Sequence, residues 1–367
     1  MIFANVMVFL VSLFITGLII PKILLIAFRK NLFDEVNERK IHKGLVPRLG
    51  GIAFVPAIIF AFAFVVGIAL MPQTINFMPY MMPSQERALS FGLCGLMILY
   101  LVGVADDLIG VMYRAKFVVQ IIAACLLVVG GVWISNLHGF CGIMDWPVIC
   151  GCMLTILVCV FFVNAINLID GIDGLASGLS SVALITYGIV FAMNSDVYNA
   201  MVSFATLAAL VQFFYYNVFG NQAKQKKIFM GDTGALCIGF ILTYLSVTIA
   251  RVGNFSFIDA NPIVVAFAPM LVPCLDVLRV FFNRIRKGVS PFLPDRTHIH
   301  HRLLSLGMSI PRAMVSILFI SVLFVVINVV LSPYVNSALL IVLDVLMWGG
   351  YNWSITYRIK RHTQQAQ

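Results

Sequence analysis

A chain of 367 residues in which 61% are hydrophobic and 11% charged cannot be an ordinary water-soluble domain, where about a quarter of the residues carry charge. It reads as a polytopic membrane protein. The formal net charge of +9 does not point to nucleic acid, because no basic run carries the interleaved aromatics on which bases stack. It reads instead as membrane topology and attraction to anionic membrane lipids.

Eleven apolar stretches follow one another, near 2–28, 50–71, 89–104, 117–134, 146–165, 174–193, 199–216, 234–252, 262–283, 313–331 and 337–354. Crossing a bilayer takes roughly 17–25 residues, so 89–104 must extend into its flanks. The first stretch has no Lys or Arg between Met1 and Met7. It therefore reads as a retained membrane helix and not as a cleaved signal. No repeat, low-complexity segment or long soluble stretch interrupts the pattern. The expectation is an all-α bundle of about 11 transmembrane helices, with residues 1–367 as a single domain. Of 24 Lys and Arg residues, 20 lie in the loops after spans 1, 3, 5, 7 and 9 or in the C-terminal tail. The positive-inside rule then places the N-terminus outside and the C-terminus in the cytoplasm.

Six of the 15 acidic residues fall in four motifs at helix–loop junctions, all on the side assigned to the cytoplasm. Carboxylates beside a bilayer are costly and mark function. The first motif is Asp106-Asp107, followed by Arg114 and Lys116. Two adjacent carboxylates near lipid call for a cation, or for a raised pKa that makes one of them a base; a solvated helix end is the plain alternative. The second motif spaces Asn164, Asn167, Asp170 and Asp173 by threes along one helix face, with Gly171 and Gly174 breaking the turn. Amide and carboxylate oxygens suit a hard cation such as Mg²⁺. The third, Phe229-Met-Gly-Asp232, offers a carboxylate for a metal or a cap for the next helix, and an aromatic ring for a base or for the membrane interface. The fourth, Asp295-Arg296-Thr-His298-Ile-His300-His301-Arg302, suits an anion better than zinc, since no thiolate joins it. A weaker fifth signal is the basic loop holding Lys40 and Arg48, which either sets topology or helps hold a phosphate. Metal ligands, cationic clamps and a membrane face together suit phosphoryl transfer involving a lipid.

These motifs, in this order from about Arg39 to Arg302, resemble the polyprenyl-phosphate N-acetylhexosamine-1-phosphate transferases, which include the WecA-type and MraY-type enzymes and the eukaryotic dolichyl-phosphate enzyme. The resemblance implies a cytoplasm-facing Mg²⁺ site, with Mn²⁺ as a possible substitute. There the phosphate of undecaprenyl phosphate attacks the β-phosphorus of a UDP-N-acetylhexosamine and UMP leaves. It implies Asn167 and Asp232 as metal ligands, Asp173 reading the uracil edge and Phe229 stacking on it. It places Asn164, Lys40 and Arg48 among the substrate-binding groups, with Lys116 on phosphate and Asp106 or Asp107 as base or orienting group. Asp170 joins the catalytic set, and Arg296, His298, His300 and His301 line the diphosphate and sugar side. The His-Ile-His-His form resembles the WecA-type branch and favours N-acetylglucosamine. A homodimer is a further implication of the family. The amino-terminal loop departs from the family pattern, with Asp34-Glu35 where a proline usually follows the Asp.

Two rivals are weaker. The CDP-alcohol phosphotransferases share an Asp-x-x-Asp-Gly element, but here Ala176 is followed by Ser177, and the later paired aspartates are missing. A membrane transporter with cytoplasm-facing carboxylates would place them near the midplane and show repeated halves.

Overall fold

Apolar runs of this length satisfy their backbone groups internally, which in lipid leaves helices as the available element. The computed structural model describes residues 1–33, 46–71, 78–140, 142–253, 255, 258–290 and 297–365. Its helices are α1 (Ile2–Lys30), α2 (Phe54–Ala69), α3 (Pro83–Ile109), α4 (Tyr113–Val129), α5 (Val148–Ile169), α6 (Leu175–Met193), α7 (Val197–Val218), α8 (Gly231–Ala250), α9 (Pro262–Phe267), α10 (Leu271–Arg286), α11 (Ile299–Ser305), α12 (Ile310–Leu331) and α13 (Ser337–Gln365). Two 3-10 turns, Gly50–Ala53 and Ala268–Met270, lead into α2 and α10. A short antiparallel hairpin, β1 (Asn136–Phe140) with β2 (Ile143–Asp145), joins α4 to α5.

Among the described residues, ten helical segments are long and apolar enough to cross a membrane, α9 and α10 counting as one. The eleventh expected span, α4, has 17 residues, the lower limit for crossing. The marginal stretch at 89–104 does extend into both flanks, as the 27 residues of α3. The run 262–283, which looks continuous in sequence, is broken by the 3-10 turn that contains Pro269, since proline removes a backbone donor.

Helix α8 is the axis of the bundle. Its apolar window is 94% buried, against 22–39% for α1, α2, α3 and α5. Helices α3 and α5 flank it, and α7 carries α1 on its far side. The contact face of α1 repeats every fourth residue (Ala4, Val8, Ser12, Thr16, Ile20), and small residues there let helices approach closely. Ser12 donates to the Ala205 carbonyl at 2.7 Å. Two buried tyrosines are paired in the same way. Tyr187 donates to the Ala266 carbonyl and Tyr244 to Asn199 Oδ1, each at 2.7 Å.

Helix α10 differs from the rest. Asp276 and Arg284 are among its buried residues, while Leu278, Phe282 and Ile285 are exposed. It turns a charged face inward and leaves an apolar face outward.

Candidate active site

The end of α3, the start of α4, the end of α5 and the start of α8 meet at one end of the bundle, where three of the acidic motifs become one centre. The first is split by the fold into two different jobs. Asp107 Oδ1 accepts the Asp232 amide at 2.8 Å, and Oδ2 accepts the amide of Thr233 at 2.9 Å and its hydroxyl. The first amides of any helix lack intrahelical partners, so Asp107 caps α8 from a neighbouring helix. The cap needs Gly231. Its φ is +75°, and a Cβ there would lie 2.1 Å from the Arg48 carbonyl and 2.6 Å from Asp107 Oδ2.

Asp106 faces the other way. Its Oδ2 accepts Lys116 Nζ at 2.7 Å, and its Oδ1 accepts the Val111 amide at 2.7 Å. The same Lys116 ammonium lies 3.8 Å from Asp232 Oδ2. Asn167 donates to Asp232 Oδ1, so Lys116 and Asn167 together hold Asp232 on the side of Asp106. Four of the residues picked out by motif (Asp106, Lys116, Asn167 and Asp232) thus converge. Asn164 sits one turn earlier on α5, where its amide nitrogen donates to Gln120 Oε1 on α4 at 2.6 Å and to the Val160 carbonyl at 2.7 Å. That side chain ties α4 to α5.

The second wall is built from the α5–α6 turn and the segment entering α8. Asp173 accepts Lys227 Nζ at 2.7 Å. Asn217, at the end of α7, accepts the Gly174 amide at 2.7 Å and donates to the Ile228 carbonyl at 2.9 Å. One buried side chain therefore clamps the Asp173 turn to the segment that carries Phe229. The basic loop closes on the same place. The Phe229 amide donates to the Pro47 carbonyl, Gly50 donates back to Phe229, and Gly51 donates to Met230, all between 2.8 and 2.9 Å. This lays the Pro47–Gly51 segment along the entrance to α8 and brings exposed Arg48 to the site. Asp170, between these groups, has its carboxyl pushed up to about 7. Burial is the main cause; Arg48 opposes it, and Asp232, Asp173 and Asp107 add to it.

The third wall is the histidine loop. His300 is buried and rests directly on Gly171. A Cβ at that glycine would lie 2.1 Å from His300 Nε2, so the glycine makes room for the imidazole. Burial, then the neighbouring His301, push the His300 pKa down to about 3. It is therefore a neutral ring near pH 7. The rings of His298 and His300 lie parallel at 5.9 Å, and His301 is tilted against His300 at 4.3 Å. Lys40 and Arg296 lie outside the described residues.

The glycosyl transferase family 4 model matches residues 89–250, which hold every element of the first two walls except the basic loop. The chain is 31% identical over 312 residues to an undecaprenyl-phosphate α-N-acetylglucosaminyl 1-phosphate transferase of Yersinia pestis, covering 83% of this chain and 78% of that protein. A protein of the same name from Salmonella typhi is 30% identical over 92% of this chain and 88% of its own. A probable undecaprenyl-phosphate N-acetylglucosaminyl 1-phosphate transferase of Bacillus subtilis is 29% identical over 89% of this chain and 85% of its own. The chain belongs to glycosyl transferase family 4. The resemblance carried by the motifs is thereby borne out, and the protein is a multi-pass membrane transferase.

The donor atoms of this candidate site suit a hard cation. Asp106 and Asp232 share one ammonium, that of Lys116, at 2.7 and 3.8 Å, and Asn167 adds an amide beside Asp232. Among the described residues no three His, Cys, Asp or Glu side chains form a complete metal cage. Mg²⁺ does not require one, since it usually takes one or two carboxylates and fills its shell with water and substrate phosphate.

The motif reading missed three groups. Lys227 could have been found beside the Phe-Met-Gly-Asp motif as the second Lys of a pair. Asp276 could have been found as an acid inside an apolar span. Asn217 gives no sequence signal, because its partners lie 43 and 11 residues away.

Proposed function

We propose that the protein transfers N-acetylglucosamine 1-phosphate from UDP-N-acetylglucosamine to undecaprenyl phosphate, giving undecaprenyl-diphosphate-N-acetylglucosamine and UMP at the cytoplasmic face of the bacterial inner membrane. A phosphate oxygen of the lipid attacks the β-phosphorus of the donor, a P–O bond forms, and the bond to UMP breaks. The observation that carries this reading is the convergence of Asp106, Lys116, Asn167 and Asp232, in a chain related over most of its length to enzymes named for this transfer. Phosphoryl transfer needs positioning and charge neutralisation above all.

Asp106 orients the acceptor phosphate and takes its proton, because Asp107 is committed to the start of α8. Lys116 bridges from Asp106 to Asp232 and meets phosphate oxygen as charge shifts to the leaving group. Asp232 and Asn167 would hold Mg²⁺, or Mn²⁺ in its place. A divalent ion held there would supply charge neutralisation for the diphosphate. Asp173, held by Lys227, reads the uracil edge, and Phe229 stacks on the base. Asp170 and Arg48 lie between the base and the phosphates, and His298, His300 and His301 line the diphosphate and sugar. The one-sided clustering of Lys and Arg supports an outside N-terminus and a cytoplasmic C-terminus. A homodimer is part of the same family expectation.

The test is direct. Purified protein with UDP-N-acetylglucosamine, undecaprenyl phosphate and Mg²⁺ should release UMP and form a lipid-linked sugar. UMP release should vanish with EDTA and return with Mg²⁺. Absence of UMP from every UDP-N-acetylhexosamine tried would sink the proposal.

A further inference from the structure

The entrance to α11 is held by a buried carboxylate. Asp276 on α10 is fully buried, and its partners Arg279, His298 and Ile299 lie on α10 itself or at the entrance to α11. Its Oδ2 lies 2.8 Å from His298 Nδ1. Its Oδ1 accepts the Ile299 amide at 3.0 Å and Arg279 Nη2 at 2.8 Å. Arg279 Nη2 also donates to the Thr297 carbonyl. One carboxylate and one guanidinium, a single turn apart on α10, thus hold the carbonyl of residue 297, the side chain of 298 and the amide of 299.

That arrangement does more than tether a loop. A carboxylate on Nδ1 fixes the ring proton of His298 on that nitrogen and leaves Nε2 as an acceptor for a substrate hydroxyl. The orientation passes onward, because the His298 ring is parallel to that of His300, and His300 rests on Gly171 between Asp170 and Asp173. Asp276 lies outside the four motifs, and among the described residues its partners include none assigned to the metal or the base. A buried charge of this kind is expensive and needs a purpose. Here a guanidinium, an imidazole and a backbone amide compensate it.

We infer that Asp276 is a positioning residue of the transfer reaction: with Arg279 it sets the tautomer and orientation of His298 and so seats His300 against Gly171. The inference rests on the transferase reading above. It excludes a direct role in binding the nucleotide, so its loss must fall on turnover.

The experiment compares wild type, Asp276→Asn, His298→Asn and the double variant in the UMP-release assay, with elution in detergent as the folding control. Asp276→Asn keeps the size of the side chain and loses the charge. It should lower kcat about 10- to 100-fold, the usual cost of removing an outer orienting partner, with KM for the UDP-sugar within about twofold of wild type. Asp276→Glu should recover part of the rate. The double variant should be no slower than the slower single, since residues acting as one unit are not additive. Wild-type kcat in Asp276→Asn, a change confined to KM, or fully additive losses would each overturn the inference. If Asp276→Asn fails to elute as folded protein, Arg279→Lys takes its place, because one ammonium cannot reproduce the planar fork that meets both Asp276 and Thr297; the same split is expected. Amide exchange at Ile299 is read alongside and needs no turnover. Faster exchange in the variant with an inactive wild type means that the anchor stands and the transferase reading has failed; unchanged exchange means that the anchor itself is wrong.

Discussion

The two sides of the site are built on opposite principles. On the carboxylate side, Asp106, Asp107 and Asp232 come from the ends of two transmembrane helices and are wired to one another and to Lys116. On the histidine side, a loop and a seven-residue helix carry the rings, and one acid on α10 orders them. Negative charge is in excess on the first side, which a divalent cation and substrate phosphates can balance. On the second, among the described residues, Arg279 and Arg302 outnumber the single acid Asp276, and His300 is kept neutral by burial. Rigid helix ends therefore do the electrostatics, while a separately anchored loop approaches the substrate. The two sides touch at Gly171 and His300.

The largest expected effect strikes the carboxylate side. Asp232→Ala should lower kcat by about 10³-fold or more, since charge stabilisation by a bound divalent ion is worth several kcal/mol and each 1.36 kcal/mol is a factor of ten. The variant should still insert and elute as wild type, and near-wild-type turnover would remove Asp232 from the metal site. Lys116→Met comes next, at about 10²- to 10³-fold in kcat, the cost of losing one preorganised charge-stabilising donor. The seam between the sides is probed by Gly171→Ala. The added Cβ would sit 2.1 Å from His300 Nε2 and must displace the ring, so kcat should fall with about 1–3 kcal/mol of overpacking strain, seen as a lower unfolding temperature. An unchanged temperature with full activity would show that the two sides do not meet there. The smallest change in turnover belongs to Asn217→Ala, which unclamps the Asp173 turn from the Phe229 segment. It should raise KM for the UDP-sugar several-fold with kcat nearly kept, and cost about 1–3 kcal/mol for the unpaired buried groups.

The same contrast separates what the sequence reveals from what it hides. Helix spans follow from hydropathy, and the acidic motifs from carboxylates set against lipid, so the convergence of Asp106, Lys116, Asn167 and Asp232 could be anticipated residue by residue. The division of labour within Asp106-Asp107 could not, because it depends on which carboxylate reaches the amides of a helix 125 residues away. Asn164 shares the spacing of Asn167, yet it turns its amide nitrogen to Gln120; periodicity gives a face, not a neighbour. The break between α9 and α10 was masked by a continuous apolar run. Asp276 and Arg279 were folded into that run although they sit three residues apart on one face, the spacing of a helix ion pair. Asn217 is one amide in a span, and its meaning exists only once α6 and α8 lie beside it.

The buried axis carries a consequence for how the protein is made. Helix α8 is enclosed by protein on nearly every side, and its first turn is finished by a carboxylate belonging to α3. During synthesis α3 and α5 enter the membrane before α8 exists, and lipid must fill its place until it arrives. When α8 docks, it expels that lipid and in the same movement brings Asp232 beside Asp106 and Asn167. Docking of α8 and assembly of the carboxylate side are then a single event, and the histidine side joins only once α10 and α11 follow.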